Sequence, residues 1–122
     1  GFVWESPWGP SVPGLTEVMR SHSLLQVAAY QWFVSVSCAL AFPIVCPTAR
    51  YLELRYEELI AKPEDHIRHI QQFLGDQYDS EGVLERVNIM AGGYTWRELM
   101  SPEELSDVEA IAGHTLRLLG YQ

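Results

Sequence analysis

The sequence predicts a mostly helical chain with one short β-strand. The stretch from Leu24 to Phe42 is long, apolar and free of proline, which favours a helix. Helix-start signals at Lys62-Pro63 and at Ser101-Pro102 each precede apolar residues at helical spacing. Only Arg50–Tyr56 alternates with the two-residue period of a strand, so it is the single predicted strand.

Length and charge limit the domain organisation and the partners. The 122 residues suffice for one small domain, which we place at 1–122, with a Trp/Pro/Gly-rich loop and helix entry at 1–20 and the rest at 21–122. One strand cannot pair with itself, so we expect a partial domain that belongs to a longer protein. The net charge of −8 argues against a binder of nucleic acid or a polybasic membrane binder, since both need clustered Lys and Arg.

Proline and glycine recur through the first 15 residues. They predict a loop, because proline removes hydrogen-bond donors and glycine loosens the backbone. The same stretch carries three large aromatic side chains, Phe2, Trp4 and Trp8. Two interpretations remain open: the rings fasten the loop to a hydrophobic core, or they form one wall of a substrate cleft.

The long apolar helix lies in a stretch, Ser21 to Ala49, that has no formally charged side chain. Pro43 and Pro47 are expected to end it. Its length also suits a membrane span. Polar residues interrupt the run and no basic flank follows closely, so we favour a helix buried on most sides of a soluble core and a cytoplasmic location. We expect its two cysteines to be buried free thiols and not a disulfide; they are Cys38 and Cys46.

Three more helices are predicted after the strand. Pro63 and the acidic residues that follow it suit a first helical turn. Ser101 and Glu104 are spaced as a capping box. The predicted helices run from Lys62-Pro63 to Gly75, from near Ser80 to Gly92-Gly93, and from Ser101 to Gly120.

The apolar faces of these elements predict one core and one open surface. The residues expected to be buried together are Trp32, Leu54, Ile67, Ile70, Phe73, Leu105, Val108 and Ile111. We expect an exposed apolar patch on the long helix or beside the strand, because a surface that faces another part of the domain stands open in this chain. His66 and His69 lack the carboxylates or cysteines of a metal site, so we expect both to be solvated histidines on a helix face. No nucleophile arrangement indicates a catalytic residue.

Three motifs lie between residues 30 and 122. They are Leu54–Leu59 (LRYEEL) with Pro63 and Phe73-Leu74-Gly75; Trp96-Arg97 with Leu99, Ser101–Leu105 and Leu119–Tyr121; and Gln31-Trp32. In this order and spacing they resemble the C-terminal half of the sulfotransferases that use 3′-phosphoadenosine 5′-phosphosulfate (PAPS). The resemblance implies the C-terminal half of a P-loop-kinase-like α/β fold, in which ligands gather at the carboxyl ends of parallel strands.

The resemblance also implies where PAPS, the donor co-substrate, is bound. Tyr56 would lie near the adenine; the alternative is a core-facing tyrosine with a satisfied hydroxyl. The loop that contains Gly93, Trp96 and Arg97 would hold the 3′-phosphate through the arginine and free backbone N–H groups. A helix-linking turn with a buried Trp96 is the alternative there. The Arg-Lys-Gly form of this loop, which some members have, is absent here.

By resemblance, the function is transfer of a sulfuryl group from PAPS to a hydroxyl of a small molecule, a sugar or a lipid. The sequence has no glycine-rich loop with a lysine, since its sole lysine is Lys62. We therefore expect a missing N-terminal half of the same domain as partner, and no activity of the chain alone. Two other hypotheses stay open: a small non-enzymatic helical interaction domain, and a membrane-anchored fragment.

Overall fold

The computed structural model of the chain describes residues 9–75, 82 and 99–121. Its helices there are α1 (Leu15–Ser21), α2 (Leu24–Val45), α3 (Tyr56–Ala61), α4 (Pro63–Leu74) and α5 (Pro102–Leu118). The chain divides into two compact units, one made of Gly1–Thr48 and Trp96–Gln122 and the other of Ala49–Thr95. The helix predicted from near Ser80 to Gly92-Gly93 lies outside the described residues, apart from Gly82.

The predicted strand is not formed. Residues 50–55 belong to no strand, and none occurs elsewhere in 9–75 or 99–121. Side-chain alternation is not enough, because a strand exists only when its backbone groups pair with a neighbouring strand, and no described segment pairs with this one. Arg55 is extended, at φ −89° and ψ 129°, and Tyr56 begins α3 directly. The predicted fold class, mostly helical with one short strand of an α/β fold, is therefore wrong in its strand, whereas the helical content is as predicted.

Helix α2 begins with a capping box that joins Ser23 and Gln26. The Gln26 N–H donates to Ser23 Oγ at 3.3 Å, and the Ser23 N–H donates to Gln26 Oε1 at 2.9 Å. Contrary to the prediction, Pro43 does not end the helix, which continues to Val45. A proline in the last turn removes one backbone donor only, and the next turn closes through the Cys46 N–H, 2.8 Å from Phe42 O.

The loop before α1 is fastened to α2 by two adjacent side chains. Tyr30 Oη donates to Pro13 O at 2.9 Å, and Gln31 Nε2 donates to Pro10 O at 2.9 Å. Gln31 is only 3% exposed, so its amide makes this bond away from water. Gly14 has φ 75°, and a β-carbon there would lie 3.1 Å from Tyr30 Oη. Glycine therefore suits both the backbone angle and the close approach.

Helix α5 begins and ends as the sequence predicts. The Ser101 N–H donates to Glu104 Oε2 at 2.8 Å, and the Glu104 N–H donates to Ser101 Oγ at 3.2 Å, which is the predicted capping box. At the other end Gly120 has φ 80°. The Tyr121 N–H donates to Leu116 O at 2.9 Å and the Gly120 N–H to Arg117 O at 3.0 Å, which is a Schellman motif.

Within the first unit α2 packs against α1 and α5. Among the described residues, the buried apolar side chains are Leu15, Val27, Ala29 and Ala112. The predicted eight-residue core is wrong in this respect: all eight are half-buried, and Trp32, Leu105, Val108 and Ile111 belong to the first unit while the other four belong to the second. Short side chains on α2 and α5 explain the difference, because they fill little of the space between the helices.

The C-terminal end of α2 is largely uncovered. From Cys38 to Val45 every residue except Leu40 is exposed, and Ile44 and Val45 are 80% and 75% exposed. The predicted exposed apolar patch on the long helix is thus confirmed. The prediction that this helix is buried on most sides is wrong, because α1, α5 and the loop before α1 cover only its first half.

In the second unit α3 and α4 form a helical corner. Lys62 ends α3 and precedes Pro63, the first residue of α4, where proline lacks only an N–H that would have no helical partner. Gly75 follows the last turn of α4 with φ 110° and ψ 152°. The helix thus stops at Gly75 as predicted, although this ψ is not that of the left-handed helical region.

Candidate functional site

Tyr56 is the predicted donor-binding residue that the structure describes. It is the first residue of α3, and 62% of its surface is exposed. The alternative of a core-facing tyrosine is therefore wrong. Because the ring lies on the surface, one of its faces is available for stacking on a planar ligand such as a nucleotide base. Glu57 and Glu58 follow it in the first turn of α3, where their charge suits the positive end of the helix.

The corner between α3 and α4 is held by His66. Its Nδ1 lies 3.0 Å from Lys62 O, and its Nε2 lies 3.7 Å from Glu58 Oε2. A carbonyl only accepts hydrogen bonds, so Nδ1 carries the proton in this arrangement. His66 is thus half-buried and bonded, whereas the sequence predicted a solvated surface position. His69, on the same helix, is exposed as predicted.

The segment before α3 contacts α4 and carries a polar pair. The guanidinium carbon of Arg50 lies 4.6 Å from the centre of the Phe73 ring, which is a cation–π distance. Tyr51 Oη donates to Glu53 Oε2 at 3.3 Å. Burial, the charge of Glu53 and this hydrogen bond all raise the pKa of Tyr51 above its ordinary value of 10.0. Tyr51 is therefore a hydrogen-bond donor at neutral pH.

The other predicted donor-binding residues lie outside the described residues. They are Gly93, Trp96 and Arg97. Whether Tyr56 and this loop meet around one nucleotide stays a prediction. Among residues 9–75, 82 and 99–121, no group of three or more His, Cys, Asp or Glu side chains could hold a metal ion. Cys38 and Cys46 are free thiols in the structure, but Cys38 is exposed and Cys46 half-buried, so the predicted burial is wrong.

The first unit contains a cavity that the sequence did not indicate. It measures about 390 Å³ and lies between α2 and α5. Its walls are mainly apolar and include Leu25, Ala28, Trp32, Val108 and Ala112, with Glu109 and Tyr121 as polar members. The signal that points to it in the sequence is the run of small residues on both helices, since alanine leaves space where a larger side chain would fill it.

A groove adjoins this cavity at the N-terminal ends of both helices. It measures about 800 Å³ and is lined by Ser23, Ser101 and three acidic residues of α5, which are Glu103, Glu104 and Asp107. Ser23 and Ser101 precede the first turns of α2 and α5, so these helices begin at the same end of the unit. Leu25 and Ala28 line both the groove and the cavity, so the two spaces are immediate neighbours.

The comparisons with known proteins agree with the resemblance read from the motifs. Residues 9–91 match the sulfotransferase domain. The chain is 29% identical over 121 aligned positions to carbohydrate sulfotransferase 7 of Rattus norvegicus, an alignment that covers 81% of this chain and 24% of the relative. The chain thus spans about a quarter of the length of this curated relative. No solved structure matches the chain significantly.

These findings correct the predicted cytoplasmic location, which is wrong. That prediction rested on an α2 helix enclosed in a soluble core. The relative is a carbohydrate sulfotransferase. Among the described helices α2 is long and apolar enough to cross a membrane, with 22 residues and a mean hydropathy of 1.5, and only 17% of its most apolar stretch is buried.

The family assignment rests on more than the short motifs. The match over residues 9–91 covers more than half of the 122 residues, and it includes the loop that Tyr30 and Gln31 fasten, the whole of α2, and the corner that begins at Tyr56. The chain belongs to the sulfotransferase domain family.

Proposed function

We propose that this chain is the C-terminal portion of an enzyme that transfers a sulfuryl group from PAPS to a hydroxyl of an acceptor. The match to the sulfotransferase domain over residues 9–91 is the observation that carries the proposal. The name of the relative, a carbohydrate sulfotransferase, supports a sugar hydroxyl as the acceptor. This match also favours the proposal over a non-enzymatic interaction domain.

Donor binding is proposed to use Tyr56 and the loop with Gly93, Trp96 and Arg97. The exposed ring of Tyr56 fits this role, because a base stacks on an accessible aromatic face. An arginine such as Arg97 offers a planar fork of donors for the 3′-phosphate, and a glycine such as Gly93 has no side chain to shield neighbouring backbone N–H groups from a ligand. These residues bind and orient the nucleotide and take no part in bond breaking.

The chemical step needs groups that we do not assign to this chain. The bond between sulfur and the bridging oxygen of the donor breaks, sulfur bonds to the acceptor oxygen, and the acceptor proton passes to a base. Negative charge develops on the leaving phosphate and needs cationic or hydrogen-bond donors beside it. The sole lysine, Lys62, lies at the corner between α3 and α4. We propose that the N-terminal half of the same domain supplies these groups and covers the exposed end of α2.

Calorimetry of nucleotide binding to the full-length protein tests the donor site. The ligands are 3′-phosphoadenosine 5′-phosphate and AMP, which lacks the 3′-phosphate. Arg97→Ala is expected to weaken binding of the first ligand only, by about 1.5–3 kcal/mol for a lost charge-assisted hydrogen bond. Tyr56→Ala is expected to weaken the binding of both ligands equally, since both contain adenine.

The control is Arg68→Ala, which removes an exposed arginine of α4 that approaches Glu64 at 4.0 Å. It should leave both affinities unchanged. Equal losses for the two ligands in Arg97→Ala would remove Arg97 from the 3′-phosphate site. Wild-type protein that binds the two nucleotides equally would count against PAPS as the donor.

A further inference from the structure

The cavity between α2 and α5 has the size and the lining of a ligand site. Its volume of about 390 Å³ falls within the range of about 300–1,000 Å³ that is usual for small-molecule pockets. Of the residues that line it, Ala112 is 2% exposed, and Trp32 and Val108 are half-buried. An apolar group that enters this space exchanges contact with water for contact with the apolar walls, which favours its binding.

The adjoining groove differs from the cavity in chemistry. Three carboxylates line it, none of its described lining residues is basic, and the serines Ser23 and Ser101 stand at its two helix starts. Glu104 is engaged in capping α5, which leaves Glu103 and Asp107 to accept hydrogen bonds from a ligand. Ionised carboxylates accept hydrogen bonds and repel anions, so the groove suits a group that donates hydrogen bonds and carries no negative charge.

We propose that α2 and α5 form a binding site for a hydroxyl-bearing amphiphile that carries no negative charge. Its apolar part lies in the cavity against Trp32, and its hydroxyl-bearing head lies in the groove at Glu103 and Asp107. Leu25 and Ala28 line both spaces, so the cavity and the groove lie close enough for one ligand to occupy both. We take this ligand to be the acceptor whose hydroxyl receives the sulfuryl group. That identification rests on the proposed function, whereas the binding site itself does not.

Binding of three eight-carbon probes to the full-length protein tests the proposal. Octyl β-D-glucoside has an uncharged hydroxyl-bearing head, octanoate is anionic, and octyltrimethylammonium is cationic without hydrogen-bond donors. Calorimetry below the micelle concentration of each probe is expected to show saturable binding of the glucoside, at least tenfold tighter than octanoate and tighter than the cation. Absence of saturable glucoside binding, equal binding of octanoate, or tighter binding of the cation would each overturn it.

Two matched pairs of variants locate the binding. Ala28→Leu adds side-chain volume at a position that lines both the cavity and the groove, and is expected to weaken glucoside binding at least tenfold. Its control, Ala110→Leu, makes the same change at an exposed position of α5 and should alter the affinity less than twofold. Unchanged affinity in a folded Ala28→Leu protein, as judged by circular dichroism, contradicts the proposed cavity.

The second pair tests the head group. It changes half-buried Asp107 in the groove and exposed Asp65, and adds no side-chain volume, so it decides the question if Ala28→Leu does not fold. Asp107→Ala is expected to weaken glucoside binding at least threefold and to tighten octanoate binding, because it removes both an acceptor and a repulsive charge. Asp65→Ala, on α4, is the control and should change neither the glucoside affinity nor the octanoate affinity. Changes of the same sign for both probes would contradict the assignment of the groove.

The two proposals fail separately. Sulfuryl transfer that persists in a protein without glucoside binding would overturn this site and leave the proposed function standing. Saturable glucoside binding in a protein that transfers no sulfuryl group would overturn the proposed function and leave this site standing, because probe binding needs no donor nucleotide.

Discussion

Glu109 and Arg117 form an ion pair across Gly113, although they lie eight residues apart on α5. Arg117 Nη1 is 2.7 Å from Glu109 Oε2. Eight residues of helix span about 12 Å, so both long side chains must reach toward the residue midway between them. A β-carbon at position 113 would overlap Glu109 Oε2, and glycine therefore leaves the space in which the pair meets.

Gly113→Ala tests what this arrangement contributes. Alanine in a helix interior is favoured over glycine by about 1 kcal/mol, and an exposed ion pair contributes at most about 1 kcal/mol. We expect a free energy of unfolding within about 1 kcal/mol of wild type, measured by urea denaturation, with less dependence on salt. Since the obstructing atom is the flexible end of a side chain, a loss above about 2 kcal/mol would contradict this account.

The fastening of the N-terminal loop is expected to depend more on Gln31 than on Tyr30. Gln31→Leu removes a buried donor from Pro10 O and should cost about 1–3 kcal/mol. Tyr30→Phe removes a bond at a partly exposed site, where water can replace it, and should cost less than about 1 kcal/mol. Urea denaturation measures both losses, and equal losses would show that burial does not distinguish the two bonds.

The pair Tyr51 and Glu53 predicts a loss of stability in alkali. The pKa of Tyr51 is raised in the folded chain, so its contribution to stability is fully present below pH 10.0 and is lost as the pH rises through the raised value. In Glu53→Gln the pKa of Tyr51 should fall, but stay above 10.0 because burial remains its largest cause. An NMR titration of the Tyr51 ring checks this, and an unchanged pKa in the variant would contradict the pairing.

Features that depend on a few neighbouring residues were predictable from the sequence. The Ser101–Glu104 box, the start of α4 at Pro63 and the stop at Gly75 each need only groups within one helical turn. Features that depend on distant partners were not. The alternating residues 50–55 have no partner strand among the described residues. The chain instead begins α3 at Tyr56, and the Leu59 N–H donates to Arg55 O in its first turn.

The candidate site was predictable only in part, for the same reason. Resemblance selected Tyr56, and the structure leaves its ring exposed, although on a helix and not at the end of a strand. The cavity between α2 and α5 depends on which helix packs against which. The spacing of apolar residues predicts the apolar face of each helix but not its partner helix. Ala28 and Ala112 look like ordinary helix residues until both are found on the walls of one space.

Transfer of radioactive sulfur from ³⁵S-labelled PAPS tests the central claim most directly. The full-length protein is incubated with labelled donor and a panel of carbohydrate acceptors, and the labelled product is separated from the donor. We predict labelled acceptor that requires a free hydroxyl and is lost when unlabelled PAPS is added in excess, with no product from residues 1–122 alone. Folded full-length protein that binds the donor nucleotide but labels no hydroxyl-bearing acceptor would contradict the claim.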